Sequence, residues 1–396
     1  MFIIPIDYKS VGWGGVTAYT LLIAQELKRL NHKITILTPG EKNRVYKYRG
    51  IPVYTIKYYE KYKIPGERLL VKLFPMFIDR LKWIYGVYSF VYRNSQFDII
   101  ESPEWGASGL LISLYKKHKV NIRLHRSQYQ YYLDNKLPIN IDLLLVNMLE
   151  MISILLSSSI TSPTTFMFKT HSLLTWFLKI KCNPSEVIPN GIKITNHAIN
   201  KRSITPYILY VGRLEYGKGL HTLIQAFSEI KNKHHNIRLI LIGRDMKTRI
   251  NNAWISYKQH LLSIIKKKRM QKTVLILAQK NQYQLEKYYA NCLLYVMPAR
   301  GHENHPIALL DAIGWNKAVI TSNTGGIPEI IKDQKSGLVF KQDNAHDCAR
   351  TLSNLLSNVT LRNSIEKYNT KYKYNFNIRD VTVTTANFFT KVIHHK

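Results

Sequence analysis

The sequence predicts an α/β protein of two doubly wound, parallel-sheet domains that face each other across a cleft. Three observations support this fold class. The 396 residues are too many for one ordinary hydrophobic core. Short apolar runs alternate with helix-length amphipathic stretches, which is typical of parallel sheets. The same alternation starts again in the second half, after a segment rich in proline and glycine.

The first half opens with a strand, a helix and a second strand. The N-terminal run "FIIPI" lacks a basic flank, so it indicates a buried strand rather than a secretion signal. Val16, Tyr19 and Ile23 recur at helical spacing in "VTAYTLLIAQELKRL", and "KITILT" follows as a strand. Further on, residues 141–156 are strongly apolar but carry Asp142 and Glu150. Such polar groups are costly in hydrocarbon, so we predict a buried core helix rather than a membrane span.

The second half runs from the strand "YILYVG" through further strand-helix pairs to the strand "KAVITS". The preceding segment, "NPSEVIPNGIKITNHAINKRSITP", has the composition of a linker. We therefore predict an N-terminal domain over 1–200 and a C-terminal domain over 201–370. Residues 371–396 are expected to form a helix or tail that packs back on the N-terminal domain, because their apolar side chains need burial.

The charge balance is unusual, with 57 Lys and Arg against 25 Asp and Glu, a formal net charge of +32. Such a field attracts polyanions, whether nucleic acid, anionic lipid or phosphorylated substrates. Cys182, Cys292 and Cys348 are scattered and form neither a disulfide framework nor a metal cluster. This cysteine usage favours a reducing cytoplasm.

Four loops at predicted strand ends are candidates for the site. In "YVGRLEYGKGL", Arg213 and Lys218 place cations beside a helix start, which suits a diphosphate. A surface ion pair between Arg213 and Glu215 is the alternative. "HENHPIALLDA" carries Glu303 and Asp311 around a helix that starts at Pro306, and carboxylates can hold sugar hydroxyls. The glycine pairs in "SNTGGIPEII" and "GWGGV" allow close approach of a ligand to the backbone.

Together the motifs "GRLEYGKG", "ENHPIALLDA" and "GGIPEII…SGLVF" resemble the retaining GT-B nucleotide-sugar glycosyltransferases of the group 1, or family 4, type. The resemblance spans roughly residues 187–340 and is looser in the first half, where "IIESPEWGASG" and "IRLHRSQY" fall in the expected order. It implies the GT-B fold of two Rossmann-like domains. It also implies transfer of a sugar from a nucleotide-sugar donor to a glycan or lipid-linked acceptor, in cell-surface polysaccharide or glycolipid synthesis.

The resemblance further implies roles for individual residues. Arg213 and Lys218 would hold the leaving diphosphate, and Glu303 would contact the transferred sugar. Asp311 would bind the ribose, and His125 would face the reacting centre near the acceptor. The other implied donor-binding positions are Gly14, Gly15, Gly212, Ala278, Gln282, His305, Pro306, Ile307, Gly325 and Gly326.

The sequence departs from the family pattern at three places, one of which is after the helix, where Asn316 and Ala318 replace the usual Gly and Pro. Asp311 replaces the usual glutamate, and His305-Pro306 replaces the usual Phe-Gly, so one backbone amide donor is lost. We expect these changes to retune donor specificity or to weaken the enzyme. No Asp-X-Asp motif or cluster of metal-ligating residues is found, so we expect neither a metal nor another cofactor.

A basic and aromatic region over residues 42–93 favours peripheral docking on the inner face of an anionic membrane, with a solvated basic surface as the alternative. Its members are Lys47, Arg49, Lys57, Lys61, Lys63, Lys72, Lys82, Tyr46, Tyr48, Tyr58, Tyr59, Phe74, Phe77 and Trp83. Three other functions stay open: a nucleotide-sugar epimerase of the same fold, a non-catalytic nucleotide-binding relative, and a nucleic-acid-binding protein.

Overall fold

The computed structural model describes residues 1–5, 14–58, 67–94, 96–115, 117–170, 184–194, 205–250 and 253–394. The chain divides into two compact units. The first contains Met1–Gln130, Pro138–Gly191 and Ile378–Lys396, and the second contains Tyr131–Leu137 and Ile192–Asn377. The division therefore comes at Ile192, a few residues before the boundary that the sequence predicted, and residues 195–204 around that boundary lie outside the described part.

The first unit is built on an eight-stranded sheet in the order β3-β4-β2-β1-β5-β6-β7-β8. Every neighbouring pair is parallel except β3 and β4, which are antiparallel. The strands are β1 Phe2–Ile3, β2 Ile36–Pro39, β3 Arg44–Tyr48, β4 Ile51–Ile56, β5 Ile99–Pro103, β6 Lys119–Arg123, β7 Ser159–Ser162 and β8 Ser185–Val187. The helices in this part of the chain are α1 Gly15–Arg29, α2 Glu67–Leu73, α3 Pro75–Arg93, α4 Leu110–Tyr115, α5 Gln128–Asp134 and α6 Ile141–Leu156, and the residues of α5 from Tyr131 onward belong to the second unit.

The predicted strand-helix-strand unit at the start of the chain is present as β1, α1 and β2. Tyr19, Ile23 and Leu27 are buried on one face of α1, as the 3.6-residue period requires. The edge strand β3 was not predicted. Its sequence is partly basic, and its residues alternate only weakly between exposed and half-buried positions.

Helix α6 is buried along one face only, so the prediction of a core helix holds for half of its surface. Leu143, Val146 and Ile154 are buried, whereas Ile141 and Leu144 are 63% and 48% exposed. The 16-residue helix is short for a membrane span. Among the residues that the structure describes, no helix has the length and apolar character to cross a bilayer.

The second unit contains a six-stranded, all-parallel sheet in the order β13-β10-β9-β14-β15-β16, with a separate hairpin of β11 and β12. Its strands are β9 Tyr207–Val211, β10 Arg238–Ile242, β11 Lys247–Ile250, β12 Ala253–Ser256, β13 Val274–Leu277, β14 Leu294–Met297, β15 Val319–Ser322 and β16 Leu338–Phe340. Its helices are α7 Leu220–Ile230, α8 Tyr257–Lys267, α9 Gln282–Asn291, α10 Ile307–Gly314, α11 Ile327–Ile330, α12 Ala345–Ser357 and α13 Val359–Tyr372.

Both faces of this sheet are covered by helices. Ile208 and Tyr210 of β9 pack in one core cluster with α7, while Leu209 and Val211 pack in the other cluster with α10. Alternate residues of a strand point to opposite faces, so a strand that is apolar throughout needs a helix layer on each side. The run "YILYV" meets this requirement, since every one of its residues is buried.

The last helix, α14 Ile378–His394, belongs to the first unit and packs on α1. Val381, Phe388, Phe389 and Val392 are buried in it. Residues 371–377 belong to the second unit. The chain therefore returns to the first unit at Ile378, several residues later than the predicted boundary at residue 371.

Candidate active site

The loop after β9 carries the predicted phosphate-binding cations. Arg213 follows the strand directly, and its Nη2 lies 3.1 Å from Glu215 Oε1. Its side chain stays 40% exposed, whereas Glu215 is only 1% exposed. The alternative ion pair with Glu215 is therefore formed, but it leaves part of the guanidinium open to a ligand. A buried carboxylate beside a half-exposed arginine also fixes the direction of that arginine.

Lys218 and Glu303 are brought together although they lie 85 positions apart in sequence. Lys218 Nζ lies 2.5 Å from Glu303 Oε1, and the two side chains are 12% and 10% exposed. Such a short contact between nearly buried charges is a charge-assisted hydrogen bond. The predicted phosphate cation and the predicted sugar acid thus share one site.

The glycine pair after β15 holds the backbone of Glu303. Gly325 has a φ of +59°, and a Cβ placed there would lie 2.3 Å from the Glu303 carbonyl oxygen. Gly326 N donates a hydrogen bond to that same oxygen over 2.7 Å. Only glycine combines this left-handed conformation with so close a neighbour. The pair serves Glu303, which is a structural reason for the motif.

Helix α5 contributes contacts that the sequence reasoning missed. The Arg213 guanidinium lies 5.4 Å from the centre of the Tyr131 ring. Asn135 Oδ1 accepts a hydrogen bond from Gly217 N, and Asp134 Oδ1 lies 3.0 Å from His302 Nδ1. Asn135 and Gly217 are 82 positions apart in sequence, and Asp134 and His302 are 168 positions apart. No local spacing in the sequence signals such a long-range contact.

The start of α10 differs slightly from its prediction. Pro306 is the residue before the helix rather than its first residue, and its carbonyl accepts hydrogen bonds from Leu309 N and Leu310 N. Ile307 opens the helix. His305 is 7% exposed, and its ring meets that of Phe376 edge-on at 5.6 Å. The unusual His-Pro pair is therefore packed partly into the core.

Asp311 lies close to Gln282, which was predicted as a donor-binding position. It forms a side-chain hydrogen bond with Gln282 at the start of α9, and Ala278, four positions earlier in sequence, is exposed. Burial, together with the nearby charge of Glu286, raises the pKa of Asp311 to about 7, against the lowering effect of the hydrogen bond with Gln282. Near neutral pH this carboxyl is poised between its two protonation states.

Three of the predicted site residues belong to the first unit. Gly14 and Gly15 are exposed at the start of α1, and a Cβ on either one would meet nothing within 4 Å. Residues 12 and 13 of this glycine motif lie outside the described part. Burial lowers the pKa of His125 to about 3, helped by the charge of Arg123, so its imidazole is neutral at physiological pH.

Three other predicted features concern Gly212, the metal ligands and the cysteines. Gly212 N donates a hydrogen bond to Ile242 O, which sets the start of the Arg213 loop against the end of β10. Within the described ranges, no group of three or more His, Cys, Asp and Glu side chains could hold a metal ion. Cys292 and Cys348 are free and buried, and Cys182 lies outside the described residues.

Residues 193–372 match a sequence model of the family described as Glycosyl transferases group 1. The match contains Arg213, Lys218, Glu303 and Asp311, and it confirms the predicted resemblance to group 1 glycosyltransferases for the second unit.

Two of the curated relatives match the chain over less than half of its length. Spore coat protein SA of Bacillus subtilis is 29% identical over 41% of this chain and 42% of its own length. An enzyme of Campylobacter jejuni is 27% identical over 45% of this chain and 46% of its own length. It is named N-acetylgalactosamine-N,N'-diacetylbacillosaminyl-diphospho-undecaprenol 4-alpha-N-acetylgalactosaminyltransferase. The chain spans less than half of the length of these curated relatives.

Solved structures resemble the chain over nearly all of its length. Sucrose-phosphate synthase from Thermosynechococcus elongatus has a TM-score of 0.77 at 14% identity, covering 99% of this chain and 98% of that one. Anabaena HepE in complex with UDP and glucose has a TM-score of 0.70 at 15% identity, covering 98% of each chain. These likenesses confirm the predicted GT-B fold, with its two Rossmann-like units.

Proposed function

We propose that the chain is a retaining glycosyltransferase that moves a hexosyl group from a nucleotide-sugar donor to a glycan or lipid-linked acceptor. The contact of Lys218 with Glu303, next to the half-exposed Arg213, is the observation that carries the proposal. It joins a phosphate-binding group to a sugar-binding group within the segment that matches the family. The Campylobacter relative, whose name includes an undecaprenol-linked substrate, supports a role in cell-surface polysaccharide or glycolipid synthesis in the cytoplasm.

In the proposed reaction the bond between the anomeric carbon and the donor phosphate oxygen breaks. The acceptor oxygen bonds to the same face of the sugar, and its proton passes to the leaving phosphate. Arg213 and Lys218 neutralise the charge that develops on this phosphate, so no metal is required. When the donor binds, Lys218 turns to the diphosphate and Glu303 accepts hydrogen bonds from sugar hydroxyls instead.

A thermal-shift panel of UDP-, ADP- and GDP-sugars tests this proposal. We expect one base and sugar to raise the melting temperature, because a ligand at 100 times its Kd adds about 2.7 kcal/mol. Product analysis of that donor should show a released nucleoside diphosphate and a sugar joined to an acceptor or to water. An epimerised free product would replace the proposal with an epimerase. Binding without any turnover would replace it with a non-catalytic relative.

The affinity for the donor is expected to rise with pH because of Asp311. Its pKa is raised to about 7, so the carboxylate that would accept the ribose hydroxyls forms as the pH passes through 7. From pH 6 to pH 8 the ionised fraction grows about tenfold, and we expect the association constant of the nucleoside diphosphate to follow it. Isothermal titration of wild type and Asp311→Asn measures this, and the variant should bind weakly without the slope.

The matched control for this prediction is Glu286→Gln, because the charge of Glu286 raises the pKa of Asp311. The variant should move the midpoint of the slope to lower pH and leave the slope itself in place. An unchanged slope in Asp311→Asn would assign the pH dependence to another group and remove Asp311 from the ribose site.

We also propose that the first unit docks on an anionic membrane, but by a narrower surface than the basic and aromatic region over 42–93. Within that region Tyr58 and Trp83 are 4% and 1% exposed, and Lys82 is paired with Glu67. These side chains belong to the interior, so they are excluded from any docking surface. Residues 59–66, with Tyr59, Lys61 and Lys63, lie outside the described part.

The better candidate is an exposed apolar face on α2 and α6. Helix α2 has no buried residue, and Leu69 and Leu73 are 65% and 56% exposed. On α6, Ile141, Leu144 and Met148 follow one another at helical spacing, each more than 40% exposed. The two helices are close because the Asp142 carboxylate accepts hydrogen bonds from Met76 N and Phe77 N, at the start of α3 just after α2.

Charge favours a membrane as the occupant of this apolar face. Arg68 and Lys72 lie on α2, each next to one of its leucines in sequence, and the whole chain has a net charge of +32. Basic residues around exposed apolar side chains are the composition of helices that lie in an anionic membrane surface. The acceptor of the Campylobacter relative carries undecaprenol in its name, which is compatible with catalysis at such a surface.

Flotation with lipid vesicles tests this docking. We expect wild type to float with vesicles containing phosphatidylglycerol and not with pure phosphatidylcholine, and Leu69→Ser/Leu73→Ser to lose flotation. The control Leu262→Ser/Val359→Ser changes residues of similar exposure in the second unit and should float like wild type. Equal flotation of both double variants, or none with wild type, would reject the apolar face as a membrane contact.

A further inference from the structure

Two buried carboxyl groups in the first unit have no part in the proposed donor chemistry. Glu104, directly after β5, is 0% exposed, and Glu150 of α6 is 1% exposed. Burying a carboxylate costs several kcal/mol unless hydrogen bonds replace its water. Apolar side chains could have filled both positions. The presence of two acids there therefore has to be explained by the contacts that their carboxyl groups make.

Both acids bind the backbone of the loop after β6, which carries His125. The two oxygens of Glu104 each lie 2.7 Å from His125 N, and this carboxyl also takes a hydrogen bond from Arg126 N. Glu150 Oε2 accepts from Gln128 N over 3.0 Å, while its Oε1 accepts from Gly106 N over 2.9 Å. The first acid holds the start of the loop, and the second holds its end.

Leu124 N donates the last described hydrogen bond from this strand to its neighbour, at Thr161 O. Beyond it, the backbone N–H groups of His125 and Gln128 are bound by the two acids, which therefore help to set the direction of the chain there. Through Gly106, Glu150 also ties this loop to the turn after β5. Neighbouring strand ends of an open parallel sheet are where ligands bind. The contacts thus fix the geometry of one predicted site loop relative to the next.

We propose that Glu104 and Glu150 are positioning residues that set His125 and the loop to Gln128 for the acceptor side of the reaction. The role of His125 in turnover rests on the proposed function, whereas the clamp itself is a property of the fold. The pKa values of both acids reflect their burial, which raises them, and the hydrogen bonds from the loop, which lower them. Burial raises the pKa of Glu104 to about 8 and that of Glu150 to about 7, and the charge of Glu150 adds to the shift of Glu104.

The test compares Glu104→Leu with Glu104→Gln. Leucine removes the acceptor and leaves the buried His125 N–H without its partner, while glutamine keeps one acceptor oxygen. We measure kcat and KM for hydrolysis of the donor found by thermal shift. We expect Glu104→Leu to lower kcat at least tenfold with KM within about threefold, and Glu104→Gln to restore most of kcat. Glu150→Gln replaces one of the two acceptor oxygens of Glu150, so its kcat should lie between those of the two Glu104 variants. This variant replaces Glu104→Leu in the comparison if Glu104→Leu does not fold.

Asp142 supplies the matched control. It is a buried carboxylate that also accepts two backbone N–H groups, but these are Met76 N and Phe77 N at the start of α3 rather than amides of the loop after β6. Asp142→Leu should lower the melting temperature by a similar amount and leave kcat unchanged, in an assay without vesicles. Equal loss of kcat in Asp142→Leu and Glu104→Leu, or none in either glutamate variant, would overturn the positioning role.

Amide hydrogen exchange separates this inference from the proposed function. In Glu104→Leu and Glu150→Gln, protection should fall in the peptide over residues 124–128, whereas Asp142→Leu should lose protection only near residues 75–79. This readout needs no turnover. If no donor is hydrolysed by wild type, the proposed function fails while the clamp is still decided by exchange. Unchanged exchange over 124–128 in both glutamate variants would overturn it.

Discussion

Replacing Arg213 with alanine is expected to lower kcat about 100-fold at saturating donor, because in the proposed reaction this side chain would face the charge of the leaving phosphate. The buried Glu215, 3.1 Å away, and the Tyr131 ring fix the direction of the guanidinium. Because the charge grows during bond breaking, KM should change much less than kcat. Steady-state release of nucleoside diphosphate measures both.

The control for this prediction is Arg244→Ala. Arg244 follows a glycine after β10, just as Arg213 follows Gly212 after β9, so the two changes remove the same side chain from equivalent places in the sheet. Arg213→Lys keeps the charge but loses the planar fork and should recover only part of kcat. If Arg213→Ala turned over at the wild-type rate under saturating donor, the phosphate role of this residue would be wrong.

The fold could be predicted because its signals are local. In β9, five consecutive apolar residues indicate a strand covered on both faces, and the structure buries all five. In α1, the spacing of Tyr19, Ile23 and Leu27 indicates one buried face, and these residues are buried. Periodicity is written in adjacent residues and needs no knowledge of the rest of the chain.

The site residues that could be predicted from the sequence are those that follow predicted strands. Arg213 and Glu303 were predicted in this way, because the loops that follow parallel strands lie at one edge of the sheet. Tyr131, Asp134 and Asn135 could not be found, because their contacts reach residues far away in sequence. The same holds for Glu104 and Glu150, whose partners His125 and Gln128 lie 21 and 22 positions away in sequence.

Exposure was the least predictable property. The apolar sequence of α6 indicated a core helix, yet Ile141 is 63% exposed while Glu150 of the same helix is buried. The polar residue is inside because it finds two backbone donors there, at Gly106 and Gln128. The apolar one is outside because no element of the described first unit covers that face. The amino-acid composition of α6 predicts neither the exposure of Ile141 nor the burial of Glu150.

Gly325→Ala is expected to damage both stability and turnover. At a φ of +59° an L-residue is strained, and the new Cβ would lie 2.3 Å from the Glu303 carbonyl oxygen. Relief requires the Glu303 backbone to move by about 1 Å, since that distance is well below van der Waals contact. We expect a loss of about 3 kcal/mol in unfolding free energy from strain and overpacking together.

The same shift should lower kcat about 100-fold, because Glu303 is the group that would meet the transferred sugar and a misplacement of about 1 Å has an effect of that size. Thermal unfolding and donor hydrolysis measure the two consequences. Gly15→Ala is the control for stability, since a Cβ on Gly15 meets nothing within 4 Å and its melting temperature should stay close to that of wild type. If Gly325→Ala were as stable as Gly15→Ala, the close approach of the glycine to Glu303 would not constrain the site. If it were destabilised but turned over normally, Glu303 would not be the residue that holds the sugar.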